Sequence, residues 1–177
     1  MSYIRVVTAA TVEPISLADA KANLRVDHTD DDAKIQRHIT EAREWVERRI
    51  QKAIADVTYA QAFDSFPGAS PLELSIIPIS SVISISYEDV NDTTLTAPYI
   101  FKPPNLVFPS PSGSSWPVAY DRPDSVRVKY IAGMTAVEVI PGPVIAAMHL
   151  KIQGLYDGDD VDPAIHSLLT NYYTMVA

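Results

Sequence analysis

The chain has 177 residues, 47% apolar and 20% charged, which allows an ordinary hydrophobic core and excludes wholesale disorder. It contains no cysteine, so a disulfide framework, a cysteine nucleophile and thiolate metal sites are all excluded. Its formal charge of -8 argues against affinity for free nucleic acid, because backbone binding needs clustered cations that release counterions; an acidic surface would instead let DNA slide past.

Met1 to Arg5 lacks the apolar core of a signal peptide, and no run of about eighteen apolar residues is present that could span a bilayer. A soluble chain with no visible export signal and no membrane contact is the expectation. Tyr3 to Val7 reads as a short strand. Ser16 with Asp19 is a capping-box-like start for a first helix ending near Asp27, with Leu17, Ala20, Ala22 and Leu24 as helix formers.

A second, long helix is expected from Thr29 to about Lys52, capped by Thr29 or Asp30, with Asp31 and Asp32 at the positive end of its dipole. Ile35, Ile39, Ala42, Val46 and Ile50 recur at helical spacing and form one apolar stripe, with Trp45 on its flank. Arg37 with Glu41 and Glu44 with Arg48 stand four residues apart on the opposite, solvated face. A helix of this length is expected to pack part of its surface on other helices or another subunit.

After Ala55 the texture changes. Val57–Phe66, Leu72–Ile77 and Ser80–Tyr87 are rich in β-branched and aromatic residues and read as strands; Tyr99–Phe101, Leu106–Phe108 and Ser125–Ile131 are further candidates. Residues 109–124 hold four prolines and form a loop, in which Trp116 either anchors the loop or meets a partner. Pro143 starts a third helix with an apolar face of Ile145, Met148, Ile152, Leu155 and Tyr156, ending at Asp157-Gly158. Asp162 caps a fourth, with Ile165, Leu168, Leu169, Tyr172 and Val176 as its stripe.

The chain therefore reads as α+β: mainly a bundle of about four helices, with an inserted small antiparallel β region. A single domain over 1–177 would comprise a helical pair at 16–55, the β insertion at 57–131 and a second pair at 143–177.

Little in the chain points to catalysis. None of His28, His38, His149 and His166 stands at ligand spacing with another, and no GxSxG, Walker-type or GxGxxG sequence occurs. Asp157-Gly158-Asp159-Asp160-Val161-Asp162 alternates carboxylates as a calcium loop does, but its glycine comes second and the twelfth position is Leu168, so a helix-to-helix turn is the better reading. No catalytic residue, metal or cofactor is assigned.

Taken in order, the motifs resemble a family of tailed-phage head-to-tail connector proteins, the adaptor or head-completion proteins of long-tailed phages, prophages and gene transfer particles. The resemblance lies in Pro14-Ile15-Ser16-Leu17 with Ala20-Lys21 and Leu24-Arg25-Val26-Asp27, the acidic start at Asp30 to Asp32, and Ala42-Arg43-Glu44-Trp45-Val46-Glu47. It continues through Pro78-Ile79-Ser80-Ser81-Val82, Tyr87, Val126-Arg127-Val128, Tyr130 and Ala132-Gly133 to Pro143.

That resemblance implies a structural role: about a dozen copies in a ring beneath the portal ring, extending the DNA channel toward the tail without binding DNA specifically. It implies a place in the neck of a virion or phage-like particle, assembled in the bacterial cytoplasm. Tyr172, Tyr173, Met175 and Val176 would dock on the portal protein, while Trp116 and Trp45 would contact neighbouring subunits or the next neck protein. A stopper or tail-terminator protein is both the expected neighbour and the nearest alternative identity. A cation-dependent hydrolase using Asp157 to Asp162 is a more distant alternative, and a DNA-binding module is disfavoured by the charge.

Overall fold

The computed structural model describes residues 3–110, 115–134 and 140–175, with side chains described as far as Tyr172. In chain order the elements are β1 (Tyr3–Thr8), α1 (Leu17–Leu24), α2 (Asp32–Ile50), β2 (Val57–Phe63), β3 (Leu72–Glu73), β4 (Ile79–Glu88), β5 (Thr94–Thr96), β6 (Tyr99–Lys102), β7 (Leu106–Pro109), β8 (Val126–Ala132), α3 (Gly142–Asp157) and α4 (Asp162–Leu169), followed by a 3₁₀ segment, Thr170–Met175. The fold is α+β. With 34% helix against 27% strand, the sheet region is a near-equal partner, so "mainly helical" overstated the bundle. The chain forms two compact units: Met1–Ala10 with Asp56–Val137, and Thr11–Ala55 with Glu138–Ala177.

The helical unit is built on α2. Its stripe of Ile35, Ile39, Ala42, Val46 and Ile50 is buried throughout, each isoleucine contributing about 1.5–3 kcal/mol by leaving water. Ser16 caps α1 as expected, its Oγ accepting from the Asp19 amide at 3.1 Å. The caps of α2 and α4 differ from expectation, because their carboxylates have other partners. The N-cap of α2 is Asp31, not Thr29 or Asp30, and its side chain makes no cap bond; it accepts the Tyr156 hydroxyl instead, at 2.6 Å. Asp162 lies inside the first turn of α4, takes Lys151 at 2.6 Å, and leaves its own amide to the Asp160 carboxylate.

The expected surface pairs on α2 are also rearranged, with Glu41 meeting His38 at 3.2 Å and Glu44 meeting Arg43 at 3.8 Å.

Arg43 is the charged group of this core, 6% exposed. Its Nε donates to Glu13 at 2.8 Å and its Nη1 to Glu47 at 2.7 Å, while Glu47 Oε1 accepts the Ile54 and Ala55 amides at 2.8 and 3.1 Å. Burial pushes the Glu47 carboxyl up from its ordinary range, opposed by Arg43 and by those two amides.

The buried face of α3 is Val144, Ala147, Met148, Ile152 and Gly154, whereas Ile145, Leu155 and Tyr156 are only half-buried. The inward face is rotated from the expected one because the turn after α3 folds back over Gly154. A Cβ there would stand 2.6 Å from Val161 Cγ2 and 2.9 Å from the Asp159 carbonyl oxygen. Gly154→Ala is expected to cost about 1–3 kcal/mol, measured by chemical denaturation. Val161→Ala added to it should recover only part, since the Asp159 carbonyl is backbone.

The sheet unit contains a five-stranded antiparallel sheet, β1-β2-β8-β4-β5, and a three-stranded one, β3-β7-β6. The strand read at Tyr3 to Val7 is thus an edge of the same sheet as the 57–131 region. Alternation in β8 sends Val126, Val128, Tyr130 and Ala132 into the core and Arg127, Lys129 and Ile131 to the other face. On the core face Gln61, 1% exposed, holds the segment after β3: its Oε1 accepts the Ser75 amide at 3.0 Å and its Nε2 donates to Ser75 Oγ at 3.1 Å. Tyr130 donates to Gln61 Oε1 at 3.3 Å, and burial pushes its phenol up to about 12.

Candidate functional site

In the helical unit, α1 ends with Arg25 in the left-handed conformation (φ 58°), which turns the chain toward α2. Lys21 Nζ then reaches the His28 carbonyl at 2.6 Å and Asp32 at 2.5 Å. At the far end of α3, Gly158 (φ 83°) makes the corresponding turn, its amide donating to the Gly154 carbonyl at 2.8 Å.

Tyr156 joins these two turns. Its hydroxyl donates to Asp31, Lys34 donates to its carbonyl at 3.3 Å, and the Lys34 ammonium lies 4.3 Å from its ring centroid. The hydrogen bond to Asp31 holds its phenol above the ordinary range. One end of this unit therefore carries exposed Asp27, Asp30, Asp157, Asp159 and Asp160, none of them ion-paired among the described residues. Of the 157–162 stretch, Asp160 and Asp162 are used in the turn and the Lys151 pair. Among the described residues no three His, Asp or Glu side chains converge as metal ligands.

Trp45 is half-buried on α2, with the Lys151 ammonium 4.7 Å from its ring centroid and the Arg49 guanidinium at 6.0 Å. With Arg48, Arg49 and Asp162 it lines an open hollow of about 310 Å³. Tyr172 is half-buried in the segment Thr170–Met175, which runs beside α4 and α2. The side chains of Tyr173 and Met175, and Val176 altogether, lie outside the described residues.

Trp116 belongs to the sheet unit and is only 5% exposed. Its indole stacks on Phe66 with centroids 4.8 Å apart and planes 8° from parallel, and Nε1 donates to the Ser70 carbonyl at 2.9 Å. The ring anchors the loop. What remains free for a partner is the chain it holds, where Val118 is 82% and Tyr120 41% exposed. Glu88 secures the other side of this loop: its carboxylate takes Arg122 and, at 3.1 Å, Arg127, and its carbonyl accepts the Tyr120 amide at 2.8 Å.

The sheet's second face was not singled out from the sequence. Strand register places Arg5, Ala60, Lys129 and Ser84 in one row, with Tyr3, Ala62, Arg127 and Ser86 beside it. Arg5 and Lys129 are two strand spacings apart, roughly 9–10 Å, over an alanine. Tyr3, Arg5, Ala60, Gln61, Ala62, Asp124 and Arg127 line a hollow of about 370 Å³ on it. The alternation in Val126 to Ala132 shows which residues of β8 share this face; that β1 and β2 lie beside it is a matter of topology.

Among the described residues no helix is long and apolar enough to cross a membrane. Three solved chains share this fold over almost its whole length. One, in the virion of a native gene transfer agent particle, matches with a TM-score of 0.77 at 20% identity, covering 98% of this chain and 96% of that one. Another, in the neck of an empty gene transfer agent particle computed with C6 symmetry, gives 0.78 at 18% identity, covering 99% and 97%. A third, in the neck of a native particle computed with C12 symmetry, gives 0.76 at 19%, covering 99% and 97%. No curated protein matches by sequence. Residues 14–96, from the approach to α1 through β5, match the phage gp6-like head-tail connector proteins, the family that the ordered motifs of the chain resemble.

Proposed function

We propose that this protein is a structural head-to-tail connector: copies of it form a ring at the particle neck, between the portal ring and the tail, and continue the channel through which DNA passes. The observation that carries this reading is the family match over residues 14–96. The likeness of the whole fold to chains from particle necks supports it, and so does the gathering of exposed charge and apolar loop residues on surfaces suited to contact.

In this reading the portal protein is the partner on one side and a stopper or tail-terminator protein on the other, with assembly in the bacterial cytoplasm. The C-terminal segment bearing Tyr172, Tyr173, Met175 and Val176 docks on the portal. The Trp45 hollow and the loop that Trp116 pins meet neighbouring copies or the next neck protein. A closed ring requires a heterologous contact, one patch meeting a different one.

The test is to mix the purified protein with portal rings from the same particle and read the product by light scattering and electron microscopy. Added mass matching a symmetric ring of copies on each portal is expected, and truncation before Asn171 should remove it. Failure to join portal rings at any salt concentration would reject this position in the neck.

A further inference from the structure

Two surfaces of this chain are opposite in charge and lie on different units. The open face of the sheet presents Arg5, Lys129 and Arg127 among Ala60, Ala62, Ser84 and Ser86, in a chain whose formal charge is -8. Arg127 has Glu88 as partner, whereas Arg5 and Lys129 form no ion pair among the described residues. Arg5 and Lys129 flank Ala60 in one row, and Arg5 and Arg127 line the hollow of about 370 Å³ beside it, with Ala60 and Ala62 in its lining and Asp124 as its carboxylate. A short acidic side chain fits that chemistry: it would lie between two cations over a floor of methyl groups. The acidic end of the helical unit offers such side chains at Asp27, Asp30, Asp157, Asp159 and Asp160, all exposed.

We propose that neighbouring copies join by the cationic sheet face of one copy receiving the acidic helix turns of the next. This rests on the connector reading above and names the contact within the ring. Charge complementarity selects the occupant. Two cationic faces repel one another, as do two acidic ends, so back-to-back pairing is disfavoured and the contact is head-to-tail. Each copy that uses its sheet face still has its own acidic end free, and repetition of one rotation closes a ring. The charges are at the surface, so the contact is weakened by salt.

The absence of cysteine allows a direct test with the full chain. Copies carrying Lys129→Cys are mixed with copies carrying Asp159→Cys and treated with a short bis-maleimide, alone and on portal rings of the same particle. Mixed cross-links roughly tenfold above same-site ones are expected, a ratio set by like-charge repulsion at the same-site pairings. Arg5→Glu with Lys129→Glu should abolish association between copies in light scattering, and partner copies carrying Asp159→Lys with Asp160→Lys should restore it.

Rings that form without mixed cross-links, and whose assembly ignores the charge reversals, overturn this contact while leaving the connector reading intact. Retention of the wild type on duplex DNA that Arg5→Glu with Lys129→Glu removes also overturns it, making the face a nucleic-acid contact. No association of copies, either alone or on the portal, rejects the connector reading and this contact with it.

Discussion

Replacing Arg43 with methionine is expected to destabilise the helical unit by about 3–5 kcal/mol, because it leaves Glu13 and Glu47 facing each other in the core without their cation. The side chains of all three are at most 17% exposed, so solvent does little to screen the loss. Glu47 fares worst, since burial already pushes its carboxyl up and Arg43 opposes that shift. A carboxyl with a raised folded pKa favours the protonated state in the fold. The deficit should therefore be largest near neutrality and above, and shrink as pH falls from there into the ordinary carboxylate range. Denaturation of wild type and Arg43→Met across that window, with hydrogen exchange to assign the loss to the helical unit, checks both size and sign. Adding Glu13→Gln and Glu47→Gln should recover much of the stability, because the buried charges then go together. A deficit independent of pH would instead assign the cost to lost packing.

Periodicity made the helices legible where burial follows a single stripe. In α2 every expected apolar position is in the core, and Ser16 signalled its cap by having Asp19 three residues on. It was less informative where long-range contacts choose among similar residues. Asp162 looks like a cap locally, but Lys151 reaches it from α3; Asp31 takes the N-cap position expected of Thr29 or Asp30, yet Tyr156 of α3 claims its carboxylate. Gly154 looks like an ordinary helix glycine until the chain folds back over it. The strands of the middle region were readable from β-branched and aromatic residues, but their order β1-β2-β8-β4-β5 was not, and order is what assembles the cationic face. Arg5 and Lys129 are 124 positions apart in sequence, brought into one row only by the pairing of Ala60 with both. The acidic turns were visible as charge runs, and Tyr156 is what makes them one surface.

Trp116→Ala is expected to cost the sheet unit about 3–5 kcal/mol, the range for emptying a buried aromatic site. The stack on Phe66 would be lost, leaving its edge contact with the Tyr87 ring, and the Ser70 carbonyl would lose its indole donor. Trp116→Phe separates these terms: it can keep the stack while removing the N–H, so roughly 1–2 kcal/mol is expected for the unmet carbonyl and the imperfect fit. The loop should respond more than the sheet. Limited proteolysis is expected to cut between residues 109 and 124 in Trp116→Ala well before the strands open, because Glu88 and its arginines then hold one side of the loop alone. The same pair of variants divides anchoring from contact. If the indole acts only by pinning the loop, the proposed assembly on portal rings should be unchanged in Trp116→Phe, while Val118→Asp with Tyr120→Asp, on the exposed stretch, should weaken it without changing stability. If Trp116→Phe loses assembly with the loop still protected from protease, the indole itself is part of the contact and leaves its place against Phe66 when the ring forms.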